Sequence, residues 1–78
     1  MNLRSLKRTF PGLAAKAKAK RLELGLSQQV TATRAGMSMN RLRDLERHDL
    51  ATLETISRLA RVLGLELDVL TGRKEVSP

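Results

Sequence analysis

Apolar residues recur along this chain at helical spacing, and the runs are cut short at regular intervals by Gly, Ser or Thr. From Leu13 to Leu24 the apolar positions are Leu13, Ala17 and Leu24, with Ala14 and Leu22 flanking, which is the period of an amphipathic helix. Gly25 stops that helix with a left-handed residue, and Pro11-Gly12 breaks the chain just before it. Ser27 is a favourable N-cap for a second helix, Gln28 to about Arg34, which Gly36 ends. Ser38 caps a third, Met39 to about Arg47, with Leu42 and Leu45 facing inward. Thr52 caps a fourth, in which Leu53, Ile56, Leu59, Ala60 and Leu63 form the apolar stripe and Gly64 is the stop. After Gly64 the period changes. In LELDVL, Leu65, Leu67 and Val69 alternate with Glu66 and Asp68, which predicts a short strand. A fifth helix starting near Leu67 is the rival, against which Glu66 counts as a poor N-cap.

The predicted fold is therefore all-α, a compact bundle of four to five helices with a short C-terminal β-strand. Its parts are a basic N-terminal arm (1–12), whose first ten residues read either as an arm or as a short extra element, a four-helix domain (13–64), a segment that is either strand or fifth helix (65–72) and a disordered tail (73–78). At 78 residues this is a single small domain with a marginal core. Without cysteine, neither a disulfide nor a thiolate zinc site can reinforce it, which leaves tight helix packing and oligomerisation. The absence of cysteine also fits a reducing cytoplasm. No apolar run reaches the roughly 18 residues that span a bilayer, and Arg4, Lys7 and Arg8 precede no apolar segment of the signal-peptide kind.

Charge sharpens the picture because it is uneven. Residues 1–47 hold eleven Lys and Arg against three acids, whereas residues 48–78 hold four against five. A basic half of this kind points to a polyanion, with nucleic acid ahead of an acidic membrane surface. Phe10 is the single aromatic residue, too few for the stacking on which single-strand and RNA recognition depends, so duplex DNA is favoured. No cofactor, metal site or enzyme is expected. There is one His, no Cys, no phosphate-cradling glycine loop and no convergent nucleophile and base.

The corner at Ala35-Gly36-Met37 is the most informative stretch. A helix, a turn of about three residues containing Gly, and a second helix make a helix-turn-helix, whose DNA-binding form lays the second helix in the major groove. Gly36 supplies the positive φ that a sharp reversal needs, and Met37 can plug the elbow. The third helix then presents residues with base-reading chemistry. Asn40 can pair with adenine, an arginine can pair bidentately with guanine, and Met39 can touch a thymine methyl. Asp44 repels phosphate, so it either accepts from cytosine N4 or orients Arg41 or Arg47. The bland alternative for Arg41, Arg43 and Arg47 is a solvated helix face. Lys16, Lys18 and Lys20 read as surface charge, and His48 as a cation suited to a helix C-terminus.

The segments GLSQ, AGMS, RLRDLER and LETISRLARVLG, in that order, resemble the phage repressor/Cro family of helix-turn-helix regulators, the Xre type. The resemblance runs from about Lys18 to Leu70. It implies a lambda-repressor-like fold and sequence-specific binding to duplex DNA by a cytoplasmic repressor. That repressor would act as a homodimer on a palindromic operator; the near-neutral C-terminal third, whose lone strand needs a partner, is the expected dimer interface. By position, the resemblance implies that Gln28 meets a phosphate and braces the third helix, and that Ser38 caps that helix near the backbone. Met39, Asn40, Arg41, Arg43 and Asp44 would read or flank base edges, with Arg47 on the same helix. It further implies a partly buried ion pair between Arg21 and Glu46. Thr31 stands where relatives usually carry Leu or Val, which implies a less firmly buried second helix. His48-Asp49 replaces the usual Gly-rich exit from the third. Relatives of this shape also include antitoxins, which bind a toxin protein as well as their own operator, and this is the alternative function.

Overall fold

The computed structural model describes residues 5–73. Five helices are present: α1 (Leu13–Glu23), α2 (Gln28–Ala35), α3 (Met39–His48), α4 (Leu53–Leu63) and α5 (Leu67–Thr71). Two short strands, β1 (Arg8–Thr9) and β2 (Leu50–Ala51), pair antiparallel, with Arg8 opposite Ala51 and Thr9 opposite Leu50.

Three of the helix starts are set by the hydroxyl caps visible in the sequence. Ser27 accepts from the Val30 amide at 3.1 Å, Ser38 from the Arg41 amide at 3.2 Å and Thr52 from the Thr55 amide at 3.0 Å. Each satisfies a backbone donor that a helix N-terminus leaves without an intrahelical partner. The core they frame consists of Phe10, Leu13, Ala17, Ala32, Leu42, Leu45, Ala51, Ile56, Leu59, Ala60, Leu63 and Leu70. Among the described residues, no buried side-chain nitrogen or oxygen lacks a hydrogen-bond partner.

The structure corrects several expectations. LELDVL is not a strand: its second half forms α5, whose Leu70 is fully buried. Glu66 occupies the N-cap position without a side-chain cap bond, and its carbonyl accepts from the Val69 amide at 3.1 Å. Burial of Leu70 against α1 and α4 offsets the poor cap, because packing decides such short helices more than propensity does. From Arg8 the chain is part of the fold, with the Phe10 ring buried and its amide donating to the Asp49 carbonyl at 2.8 Å. The expectations for Arg4 and for the tail beyond Arg73 lie outside the described residues.

The inner face of α1 also differs from its apolar reading. Leu22 and Leu24 are exposed, and the buried series is Leu13, Ala17 and Arg21, each four residues from the last. Thr31 is fully buried despite its hydroxyl, which donates to the Ser27 carbonyl at 2.8 Å. That bond removes the desolvation cost that would otherwise count against it. At the exit from α3, Asp49 adopts φ 59°, a left-handed conformation that Asp tolerates better than most residues. It does so while its carboxylate accepts from the Ala14 amide at 2.7 Å, capping α1 from across the fold.

Candidate nucleic-acid interface

The corner between α2 and α3 is built on a positive-φ glycine. Gly36 sits at φ 67°, its amide donates to the Thr33 carbonyl at 3.2 Å, and the Met37 amide donates to the Ala32 carbonyl at 3.0 Å. The pair of bonds closes the end of α2 and turns the chain directly into the Ser38 cap. Met37 packs partly buried against the core, and Ala32 and Ala35 are buried where α2 meets its neighbours. From outside, Arg58 of α4 donates to the Gly36 carbonyl at 3.2 Å. A side chain at position 36 would bring its Cβ to 3.3 Å from that guanidinium, so strain and crowding both favour Gly.

Helix α3 is strongly two-sided. Leu42 and Leu45 are fully buried, whereas Asn40, Arg41, Arg43 and Arg47 are exposed and Met39 and Asp44 half-buried. Asn40, Arg43 and Arg47 follow one another at three- and four-residue steps, so the polar face is continuous along the helix. Each carries donors, and Asn40 an acceptor as well, in the pattern that base edges in a major groove can match.

What anchors α3 to the rest of the fold is a buried polar cluster that joins its end to α1 and to the start of α2. Arg21 Nε donates to Glu46 Oε2 at 2.8 Å and Nη2 donates to Oε1 at 3.1 Å, with side chains only 8% and 3% exposed. The third arm of the guanidinium donates to the Leu26 carbonyl at 2.7 Å. Gln28 completes the set by donating to Glu46 Oε1 at 3.2 Å. A fork-to-fork Arg–carboxylate pair fixes direction as well as distance, so α1, the start of α2 and the end of α3 are held in one relative orientation. Gln28 thus reaches α3 through Glu46.

Two side chains have partners that differ from expectation. Asp44 accepts from Lys7 at 3.4 Å, a residue on the segment leading into β1, rather than from Arg41 or Arg47. Lys16 is not simple surface charge: its ammonium donates to the Val69 carbonyl at 3.0 Å, near the C-terminus of α5. Nothing local in the sequence marks either contact, since each joins residues that are 37 or 53 positions apart. Among the described residues, no group of three or more His, Cys, Asp or Glu is placed to hold a metal. No helix among them is long and apolar enough to cross a membrane.

Comparison with known proteins agrees with this geometry. A family model described as helix-turn-helix matches residues 18–70, well over half of the chain. The chain belongs to the Xre-type helix-turn-helix family. Members of this family are DNA-binding transcriptional regulators. Among solved structures, the N-terminal DNA-binding domain of SinR from Bacillus subtilis superposes with a TM-score of 0.74 at 22% identity. The match covers 86% of this chain and 97% of that one, and at such identity it speaks to the fold. No curated protein matches. The helix-turn-helix that the family model covers is the α2–corner–α3 unit, and Arg21, Gln28 and Glu46 all fall within the matched residues.

Proposed function

We propose that this protein is a sequence-specific repressor that binds duplex DNA as a homodimer, with α3 in the major groove of each half of an inverted repeat. The observation that carries the reading is the exposed row Asn40, Arg41, Arg43 and Arg47 on a helix clamped from behind by the Arg21–Glu46–Gln28 cluster. Asn40 and Arg41 read base edges, Met39 contacts a thymine methyl, and Arg43 and Arg47 reach bases or the flanking phosphates. The α2 and α3 N-termini, at Gln28 and Ser38, offer backbone amides to phosphates. Such contact with DNA places the protein in the cytoplasm.

The two-fold contact falls at the α4–α5 end. That third of the chain is nearly neutral, whereas the first 47 residues carry the excess of positive charge. Two copies related by a two-fold axis then read half-sites roughly 34–36 Å apart. Val69 is half-exposed on α5, so Val69→Asp tests the contact by sedimentation: a monomer is expected, and an unchanged dimer removes α5 from the interface.

Selection of bound sites from random duplex DNA tests the function directly. An inverted repeat is expected. Asn40→Ala and Arg41→Ala each weaken binding to it by about 1–3 kcal/mol and relax one or two positions. Lys18→Ala, on an exposed part of α1, weakens all sequences alike if it weakens any. If three or four cations per subunit displace counterions, log K falls with log salt at a slope of roughly −5 to −7 for the dimer. A slope near −1, or a selected site with no inverted repeat, sinks the reading.

A further inference from the structure

Unless it accepts from a cytosine, Asp44 sets a negative charge on the helix face that meets the duplex. It lies on the exposed side of that helix, four residues after Asn40 and three before Arg47, so a bound duplex brings phosphates close to its carboxylate. A like charge at the rim of an interface slows association and weakens it, and the effect grows as the partner displaces water from the site.

The N-terminal segment supplies the counter-charge. Lys7 Nζ sits 3.4 Å from Asp44 Oδ2. Its backbone position is fixed even though its side chain is half-exposed, because the next residues are pinned to the fold. Arg8 and Thr9 pair with Ala51 and Leu50, Phe10 is buried, and the Phe10 amide donates to the Asp49 carbonyl. Lys7 and Arg41 also line one open cleft of about 200 Å³, together with Ser5, Ala51, Thr52 and Thr55. The whole device, from Ser5 to Phe10, precedes the residues that the family model matches, which begin at 18.

We infer that β1 serves to carry Lys7 to the recognition helix, where Lys7 acts as a positioning residue that neutralises Asp44 and so lets α3 approach the duplex. In the free protein the bridge contributes almost nothing to stability, since both side chains are about half-exposed and water screens them. Its effect falls on binding, where the duplex excludes that water. The repulsion that Lys7 relieves is itself screened by salt, so the deficit of a Lys7 variant shrinks as salt rises, and the double-mutant cycle rather than the salt slope separates this role from a phosphate contact.

The inference rests on the DNA-binding reading above and is tested by a double-mutant cycle on the selected duplex. Lys7→Met is expected to weaken binding about tenfold in the presence of Asp44, and less than about twofold in an Asp44→Asn background. Lys7→Arg retains the charge and is expected to bind as the parent does. Melting curves of all variants are expected to coincide. An equal loss in both backgrounds makes Lys7 a direct phosphate contact and overturns the inference. A lowered melting temperature for Lys7→Met overturns it in favour of a structural role. Parent protein that binds the duplex with no effect of Lys7→Met overturns it while leaving the function intact. Parent protein that binds no duplex at all removes both.

Discussion

Two Arg–Glu pairs in this molecule have nearly the same contact distance and opposite consequences. Arg21 and Glu46 meet at 2.8 Å with side chains 8% and 3% exposed, whereas Arg58 and Glu54 meet at 3.0 Å with side chains 53% and 48% exposed. The first joins α1 to α3 across 25 positions, and the second lies within α4 at a spacing of four. Distance alone ranks them as equals. Burial does not, because a pair shielded from water has given up the hydration of both ions and depends wholly on its partners. In the buried cluster every arm of the guanidinium is used, by Glu46 and by the Leu26 carbonyl, and Gln28 shares the carboxylate. The exposed pair can lose either member to solvent at little cost.

The largest effect expected from this contrast follows from breaking the buried pair. Glu46→Ala leaves the Arg21 guanidinium buried with only the Leu26 carbonyl to meet it, and is expected to cost about 3–5 kcal/mol by chemical denaturation. Replacing both partners by apolar residues of similar volume, as in Arg21→Met with Glu46→Leu, is expected to recover most of that loss, because no charge is then stranded. Recovery of stability without recovery of DNA affinity would show that the pair is retained for orienting α3. If Glu46→Ala and Glu54→Ala unfold at the same denaturant concentration, the contrast between the two pairs is wrong.

The same contrast explains what the sequence could and could not disclose. Caps and glycines act on their immediate neighbours, so Ser27, Gly36, Ser38, Thr52 and Gly64 marked the ends of α2, α3 and α4 within a residue or so. Periodicity found the faces of α3 and α4, each long enough to show its stripe. It failed at α1, where the third inward position is Arg21 rather than Leu24, because a charge is admitted to the interior only by partners from distant segments. It failed again at α5, where five residues are too few for a helical period to be told from alternation. Strand β1 is two residues long and exists only because Leu50 and Ala51 lie beside it. The polar face of α3 was legible through its residue types. The Lys7–Asp44 contact was not, because it depends on that strand.

Asp49 lies between the two extremes, since its half-buried carboxylate serves a neutral partner at a helix N-terminus. Asp49→Ala removes the acceptor from the Ala14 amide and places a less tolerant residue at φ 59°. A loss of about 1–2 kcal/mol is expected, in the range of other lost caps. Asp49→Asn keeps an oxygen acceptor and tolerates the same backbone, so it should lose clearly less. A cost for Asn as large as that for Ala would make the carboxylate's charge, rather than its hydrogen bond, the stabilising feature.

The smallest effect belongs to the exposed pair. Glu54→Ala removes an i,i+4 partner from Arg58 and one acid from the first turn of α4, and is expected to cost about 0.3–1 kcal/mol at low salt. Arg58 keeps its bond to the Gly36 carbonyl, so the elbow should stay closed and DNA affinity should change little. Salt separates the two pairs more sharply than the magnitudes do. At 1 M salt the screening length falls to about 3 Å, so the difference between Glu54→Ala and the parent should shrink towards zero. The deficit of Glu46→Ala should persist, because its origin is a dehydrated ion that mobile salt does not reach. Denaturation curves at low and high salt measure both. A Glu54→Ala deficit that survives 1 M salt would mean that the Arg58 strut on the corner carbonyl depends on Glu54, and the two pairs would then differ in degree rather than in kind.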